Sequence, residues 1–258
     1  MKLAVAGKGG SGKTSISGTM ARLLARDGRR VLAIDGDSNP NLALTLGIPA
    51  ERINDVPTLP RDLIRRTDDG IVMTKAFDEV RRSHSLEGPD GVTLLVMAHP
   101  QPEEAGTGCL CGMHATVRTL IDSVSEADQD VTILDTEASP EHRTRGTAKY
   151  ADLMVTVVEP YYKSLETGRR MAALANDLGL ERVVLLANKV RDERELEAVR
   201  EFSDKHELEL AGVVPFDDCM PEAERASKAP LDFKPESPAV EAIGKIATGF
   251  VSNSNGHG

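Results

Sequence analysis

The residues best suited to chemistry lie near the start of the chain, in the stretch Gly7-Lys8-Gly9-Gly10-Ser11-Gly12-Lys13-Thr14. This stretch fits the pattern G-x-x-x-x-G-K-[ST] of a phosphate-binding loop, or P-loop. Glycines let the backbone curl so that successive N–H groups point at phosphate oxygens, and the helix that follows adds its positive N-terminal end. Lys13 would reach the β- and γ-phosphates of a nucleotide, and the Thr14 hydroxyl would bind Mg²⁺. The predicted nucleotide-binding residues of this loop are Gly9, Gly10, Ser11, Gly12, Lys13, Thr14 and Ser15.

Buried strands must hold this loop and bring acidic residues to it. An apolar run at 3–6 precedes the loop and a helix-like segment at 15–26 follows it. Two further apolar runs end in acids, the first at Asp35 and Asp37 and the second at Asp135. In an open parallel sheet, ligands lie beyond the carboxyl ends of the strands, so these acids should lie beside the phosphates. The run that ends at Asp135 has the form of a Walker B element, which predicts a Mg²⁺ ligand there.

The rest of the chain predicts an α/β fold with a mostly parallel central sheet and helices on both faces. Near-continuous apolar runs of this kind are typical of strands that are buried on both sides, and helical segments alternate with them. The predicted further strands are 92–97, 153–158, 182–187 and 211–217, and the longer helices are 115–124, 163–178, 192–205 and 237–251. Shorter helices are expected at 41–46, 59–66 and 75–82. We expect one domain over residues 1–251 and a disordered polar tail at 252–258.

Composition narrows the function class. The 258 residues carry a net charge of −10, which argues against nucleic-acid binding because that needs a basic surface. No apolar run is long enough to span a membrane, and Lys245 is the only lysine or arginine after Lys234, too few for a stable membrane anchor. No signal peptide precedes the first predicted strand, so we expect a cytoplasmic protein. The three cysteines then suggest thiols or metal ligands rather than a disulfide framework.

Lys8 is a second lysine that an ordinary P-loop does not need. With it, the chain resembles the deviant Walker A ATPases, the MinD/ParA/nitrogenase-iron-protein class, whose loop reads K-G-G-x-G-K-[ST]. The resemblance covers most of the chain and implies the P-loop NTPase fold, ATP and Mg²⁺ as cofactors, and a homodimer. It also implies that Lys8 reaches across the dimer to the partner's nucleotide, where it assists catalysis together with Lys13.

The same resemblance assigns roles to later residues. Asp37 corresponds to the switch I acid that orients the attacking water and lies at the Mg²⁺ site, with Asp35 as its structural neighbour. Asn188 corresponds to a residue that hydrogen-bonds adenine, and Pro215 to one that lines the base. The chain departs from the family pattern at Ser38-Asn39 in switch I and at Ser139-Pro140 in switch II. Two switch II residues, Glu137 and His142, fit either a functional role or ordinary capping and surface positions.

A Gly-rich loop at 106–112 carries Cys109 and Cys111 at the start of a predicted helix, where thiolates are favoured. One C-x-C pair supplies two ligands, short of a closed thiolate site, although His114 could add a third. In a two-fold dimer the pair occurs twice and offers four thiolates. Two buried small residues or a strained disulfide remain alternatives. Cys219 is expected to be a small buried residue rather than a ligand.

Within the class, the C-x-C loop and the D-x-E-A…E-H run from Asp135 make the chain similar to the CooC-type ATPases, which mature nickel carbon monoxide dehydrogenase. The resemblance implies an ATP-hydrolysing dimeric metallochaperone that holds Ni²⁺ or Zn²⁺ through Cys109 and Cys111, with such a dehydrogenase as its client. One alternative is an iron-protein-like electron donor with a dimer-bridging [4Fe-4S] cluster at these cysteines. Another is a MinD/ParA-like positioning ATPase. Residues 49–91 fit a partner-facing insertion as well as simple surface elaboration.

Overall fold

The computed structural model describes residues 1–37, 39–53, 56–68, 70–97, 111–125, 128–137, 150–180 and 182–254. Its strands are β1 (Lys2–Gly7), β2 (Val31–Gly36), β3 (Ile64–Thr67), β4 (Gly70–Met73), β5 (Ser85–Glu87), β6 (Thr93–Val96), β7 (Val131–Thr136), β8 (Leu153–Val158), β9 (Val183–Val190) and β10 (Glu209–Pro215). Eight of them form one sheet in the order β10-β9-β8-β1-β7-β2-β6-β5, in which the β5–β6 pair is antiparallel and the other pairs are parallel. The predicted mostly parallel α/β sheet is confirmed.

Helices cover both faces of this sheet. They are α1 (Lys13–Arg26), α2 (Leu42–Thr45), α3 (Ala50–Ile53), α4 (Phe77–His84), α5 (Cys111–Ser123), α6 (Tyr162–Asp177), α7 (Glu193–Lys205), α8 (Cys219–Arg225), α9 (Pro230–Phe233) and α10 (Pro238–Ser254). Along β1, Leu3 and Val5 belong to the core that α1 and α10 cover. Ala4 and Ala6 face the opposite side, which α5 and α6 cover. Strand alternation thus divides the core into two layers, one on each face of the sheet.

The predicted short helix at 59–66 is wrong. A 3₁₀ turn at Arg61–Leu63 leads instead into β3, which pairs with β4 in an antiparallel hairpin. Gly70, with φ of 132°, follows the hairpin turn, and the Thr74 N–H donates to the Leu63 carbonyl at 2.8 Å. Cross-strand pairing has overridden a helix-like spacing of apolar residues. The predicted helix at 75–82 is present as α4, shifted by two residues.

Other boundaries differ by a few residues. Helix α1 begins at Lys13 rather than Ser15, and the predicted helix at 41–46 is the single turn α2. Helix α10 runs to Ser254, three residues beyond the predicted end of the domain at 251, and 255–258 lie outside the described residues. In the described parts of the chain, no helix is both long and apolar enough to cross a membrane.

Helix α1, which carries the P-loop lysine, is anchored to the rest of the fold by a buried arginine. Arg22 donates from Nε to Asp90 at 2.6 Å and from Nη1 to Asp232 in α9. Only 2% of the Arg22 surface is exposed. The guanidinium is buried while the Asp90 and Asp232 side chains are 21% and 40% exposed, so the two carboxylates compensate its charge from the solvent side. These contacts therefore connect α1 to α9 and to the turn that contains Asp90.

Candidate nucleotide site

The P-loop wraps from the end of β1 to the first turn of α1. The Ser11 N–H donates to the Lys8 carbonyl at 3.1 Å, and the Ile16 N–H donates to the Gly12 carbonyl at 3.0 Å. Gly12 precedes the helix with φ of 95°, and a side chain there would collide with the Asn188 amide. The N-cap residue of α1 is Gly12, which has no side chain to cap the helix, so the first N–H groups of α1 suit an anion. This geometry is that of a phosphate cradle.

Lys13 is the buried cation of this cradle. Its Nζ lies 3.5 Å from the Lys8 carbonyl oxygen, and 7% of the residue is exposed. Burial lowers the pKa of Lys13, and the negative charges of Asp135 and Asp37 oppose that shift. The lysine therefore lies inside the loop, near two acids, where it can bind the oxygens of a phosphate group.

Asp135 is the next-to-last residue of β7 and lies beside the first turn of α1. The Thr14 hydroxyl donates to its Oδ2 at 2.6 Å, and the Ser17 hydroxyl donates to its Oδ1 at 3.2 Å. Burial, and next the charge of Asp35, raise the pKa of Asp135 to about 7. The structure thus joins two of the three side chains predicted to hold Mg²⁺, the Thr14 hydroxyl and the Asp135 carboxylate, while the place of Asp37 at the metal remains a prediction.

Asp35 lies opposite Asp135 in the register of β2 and β7 and organises the switch I loop. Its carboxylate accepts hydrogen bonds from the Leu42 N–H at 2.8 Å and from the Asp37 N–H at 3.2 Å. Burial raises the pKa of Asp35 to about 6. Asp35 is thus placed to shape the loop rather than to contact a ligand directly.

Asp37 is half-buried, and its negative charge acts to raise the pKa of Lys13. Its Oδ1 accepts a hydrogen bond from the Asn39 N–H at 2.9 Å, which folds the chain into a turn after β2. Ser38, at the first departure from the family pattern, lies outside the described residues. The predicted role of Asp37, to orient the attacking water, therefore remains a prediction with a suitable location.

We expect Asp37→Ala to retain nucleotide binding and to lose at least about a hundredfold in ATP hydrolysis, because an unpositioned water attacks slowly. Asp37→Asn is the matched variant, since its side-chain oxygen can still accept from the Asn39 N–H while the charge is lost. Titration with a non-hydrolysable ATP analogue measures binding, and phosphate release measures turnover. Normal turnover in both variants would assign the water-positioning role to another residue, such as Asp135 or Glu137.

The other end of the site is a cavity of about 510 Å³ that runs from the P-loop to the loops after β9 and β10. The Asn188 side-chain amide donates to the Ser11 carbonyl at 2.8 Å, so this residue braces the P-loop. Pro215 and Phe216 line the cavity, and the Arg191 guanidinium lies 4.4 Å from the centre of the Phe216 ring. A flat, partly apolar surface of this kind suits a purine base. Asn188 and Pro215 therefore lie where a base could reach them.

Five further residues of this region were not predicted from the sequence. Arg191 and Phe216 flank the predicted Pro215 region, while Glu159, Tyr161 and Lys189 surround the first half of the P-loop. Some signals were present, because Lys189 directly follows Asn188 and two of the three tyrosines follow the end of β8. The contacts of Tyr161 and Lys189 with the P-loop could not be inferred from the sequence, since they depend on the order of the strands.

The cysteine loop lies largely outside the described residues. Neither Cys109 nor His142 is described, and for Cys111 the structure gives only its place as the first residue of α5. His114, on the same helix, is buried, and its Nε2 lies 3.6 Å from Oε2 of Glu137. Cys219 is a buried free thiol. Among the described residues, no group of three or more His, Cys, Asp or Glu side chains could hold a metal ion.

The site fits ATP and Mg²⁺. The uncapped start of α1 and the ammonium of Lys13 face the phosphate end, and the Arg191–Phe216 pair forms the base end. Thr14 and Asp135 supply the hydroxyl and carboxylate oxygens that Mg²⁺ prefers. A cavity of about 510 Å³ is in the size range of small-molecule sites.

Comparisons with known proteins agree with this geometry. Residues 2–231 match the CobQ/CobB/MinD/ParA nucleotide-binding domain. The chain is 34% identical over 244 residues to the carbon monoxide dehydrogenase accessory protein CooC of Rhodospirillum rubrum, covering 91% of each chain. It is 36% identical over 266 residues to an uncharacterised ATP-binding protein of Methanocaldococcus jannaschii, covering 99% of each.

A solved structure has the same fold. The septum site-determining protein MinD of Pyrococcus horikoshii, solved in complex with Mg-ADP, superposes with a TM-score of 0.72 at 22% identity, over 98% of this chain and 96% of that one. Identity at this level supports the fold alone.

Proposed function

The chain belongs to the CobQ/CobB/MinD/ParA family of P-loop ATPases. Within this family, we propose that it is a nucleotide-dependent dimeric maturation factor that carries a metal ion to a client metalloenzyme. The cargo is Ni²⁺ or Zn²⁺, and the client is of the nickel carbon monoxide dehydrogenase type. Two observations support the proposal. One is the similarity to CooC over nearly the whole chain, and the other is a C-x-C pair within an ATPase of this class.

The contact between His114 and Glu137 carries the proposal, because it joins the cysteine-bearing helix to the nucleotide site. His114 is three residues after Cys111 on α5, and Glu137 is two residues after Asp135. The 3.6 Å approach of these side chains connects the thiol region to the strand that bears the predicted Mg²⁺ ligand. We infer that this contact couples the phosphate end of the site to helix α5, which begins at Cys111.

Each residue of the site would have a separate role in ATP hydrolysis. Thr14 and Asp135 would hold Mg²⁺, which supplies neutralising charge to the phosphates. Lys13 would bind the oxygens of the γ-phosphate, and Asp37 would orient the attacking water. Lys8 would complete the partner's site in the dimer, so that hydrolysis and dimer geometry depend on each other.

The transported metal ion is cargo rather than a resident cofactor. In a symmetric dimer, Cys109 and Cys111 of both chains offer four thiolates near the two-fold axis. Four thiolates suit Zn²⁺ in a tetrahedral site, whereas Ni²⁺ prefers a square-planar one. A nucleotide-driven change in the spacing of the two chains would alter this geometry, which provides a way to take up and release the ion.

We expect Cys109→Ser and Cys111→Ser each to abolish metal binding, because each substitution removes two of the four ligands of a symmetric dimer. The wild-type protein should hold one metal ion per two chains. Elemental analysis of protein purified anaerobically, with and without nucleotide, measures this ratio. ATP hydrolysis should persist in both variants, since Lys13 and Asp135 are unchanged.

Cys219→Ala is the matched control, because it removes a buried thiol from another part of the chain and should leave the metal content unchanged. Full occupancy in the double Cys109→Ser/Cys111→Ser variant would contradict the proposed site. One ion per chain in a monomer would instead assign Cys109, Cys111 and His114 to an open site. A visible absorbance band from an iron–sulfur cluster would contradict the metallochaperone function and would support the electron-donor function instead.

A further inference from the structure

A chain of polar contacts joins Lys8 to the backbone of its own P-loop through three residues outside that loop. Lys8 Nζ lies 3.4 Å from the Tyr161 hydroxyl, and that hydroxyl donates to Glu159 Oε2 at 2.9 Å. The other oxygen of Glu159 accepts from Lys189 Nζ at 2.9 Å, and Lys189 Nζ also donates to the Gly10 carbonyl at 2.6 Å. The sequence of contacts therefore begins and ends within the same phosphate-binding loop.

Tyr161 holds Lys8 in two ways. Besides the contact with the hydroxyl, the Lys8 ammonium lies 5.3 Å from the centre of the Tyr161 ring, within the range of a cation–π interaction. A hydrogen bond of 3.4 Å is long, and the tyrosine is 41% exposed, so each contact is weak. A weak hold of this kind fixes the resting position of a side chain without preventing its release.

Glu159 and Lys189 anchor this tyrosine to the P-loop. Glu159 follows β8, and both of its carboxylate oxygens are used, one by Tyr161 and one by Lys189. Lys189 has φ of 61°, a left-handed conformation that costs a non-glycine residue free energy. This backbone conformation accompanies a side chain that bridges Gly10 and Glu159. Strain of this kind is retained where the surrounding contacts fix the residue in place.

We propose that Tyr161, Glu159 and Lys189 form a latch that holds Lys8 against its own chain in the nucleotide-free state, and that this latch must open before Lys8 can act on a partner's nucleotide. The second half of this statement rests on the dimeric function proposed above. The three latch residues are positioning residues. They set the nucleotide concentration at which Lys8 becomes available and do not take part in the hydrolysis itself.

The chain offers a matched pair of substitutions for the test. Tyr161→Leu removes both the hydroxyl and the ring that contact Lys8. Tyr162→Leu removes the same groups from the adjacent residue, which is 72% exposed and lies at the first position of α6. Tyr161→Phe keeps the ring and removes only the hydroxyl.

The latch itself is measured without a dimer, by the rate at which acetic anhydride acetylates Lys8 in the nucleotide-free protein. Mass spectrometry of the peptide containing Lys8 gives this rate, with exposed Lys205 as the internal reference. We expect acetylation of Lys8 to rise roughly threefold to tenfold in Tyr161→Leu, less in Tyr161→Phe, and not at all in Tyr162→Leu. Equal rates in Tyr161→Leu and Tyr162→Leu would overturn the latch.

The consequence for the dimer is measured separately, by sedimentation at increasing concentrations of a non-hydrolysable ATP analogue with Mg²⁺. Tyr161→Leu should form the dimer at an analogue concentration about threefold to tenfold lower than Tyr162→Leu. A higher rate of acetylation with an unchanged dimerisation curve would overturn the required opening step. If acetylation rises and the wild-type protein forms no dimer, the latch stands and the proposed dimeric function fails.

Discussion

Replacing Lys13 by alanine should lower ATP hydrolysis by at least about a hundredfold, because it removes the main fixed positive charge on the transferring phosphate. The ammonium lies inside the loop, 3.5 Å from the Lys8 carbonyl, and the acids Asp135 and Asp37 act on it. With the cation removed, those acids would face the phosphates uncompensated. Phosphate release measured at saturating ATP and Mg²⁺ is the direct measurement.

Lys205→Ala provides the control for this prediction, since it removes an exposed lysine from the last residue of α7, far along the chain from the P-loop. It should hydrolyse ATP at the wild-type rate. A thermal unfolding curve for each variant separates lost chemistry from lost structure. Retention by Lys13→Ala of more than about a tenth of the wild-type rate is incompatible with a charge contact this central to the transition state.

Asp135→Asn should have two effects of opposite sign. Hydrolysis should fall by at least about a hundredfold, because an amide is a poor Mg²⁺ ligand and brings no negative charge to the metal. The nucleotide-free protein should become more stable at neutral pH, because the variant no longer buries a carboxylate opposite Asp35. An asparagine oxygen can still accept from the Thr14 hydroxyl, so the local hydrogen bonding is largely kept.

The pH dependence of stability gives this prediction a distinctive signature. Burial raises the folded-state pKa of Asp135 to about 7 and that of Asp35 to about 6, both above the ordinary value of 3.8. The folded protein therefore binds more protons than the unfolded chain between about pH 4 and pH 7, and the free energy of unfolding should fall as pH rises through this range. In Asp135→Asn this fall should be smaller. Urea unfolding of nucleotide-free protein at several pH values measures the slope.

Asp130→Asn is an informative control, because its carboxylate has the opposite linkage. Hydrogen bonds from Arg30 hold the pKa of Asp130 at about 2, so its contribution to stability is present at neutral pH and lost as pH falls through that value. Its removal should lower stability at pH 7 and leave ATP hydrolysis unchanged. If Asp135→Asn behaves in the same way as Asp130→Asn, the assignment of Asp135 as a buried metal ligand is wrong.

Local chemistry explains why the sequence was sufficient for the P-loop and for most of the sheet. The glycines of the loop, Lys13 and Thr14 are contiguous, and their function depends on a backbone that they shape themselves. Near-continuous apolar runs predicted β1, β2, β7 and β8, because a strand buried on both faces is apolar at most of its positions. The acids at the ends of β2 and β7 followed from the same pattern.

Residue spacing alone failed where pairing decided the conformation. The segment at 59–66 has apolar residues at helical spacing, yet most of it forms a 3₁₀ turn and the strand β3. Its partner strand β4 supplies hydrogen bonds that spacing within one segment cannot reveal.

The sequence by itself determined the class of chemistry, an ATP-binding loop with acids at neighbouring strand ends, because each of these elements is encoded within one short stretch. The tertiary structure decided which residues from distant parts of the chain contact those stretches. The bond from Asn188 to Ser11 spans 177 positions, and Lys189, Glu159 and Tyr161 reach the P-loop from β9 and the end of β8. Such contacts exist because β8 lies directly beside β1 and β9 beside β8. Strand order is a property of the whole packed sheet, so only the folded chain could place these residues around Lys8.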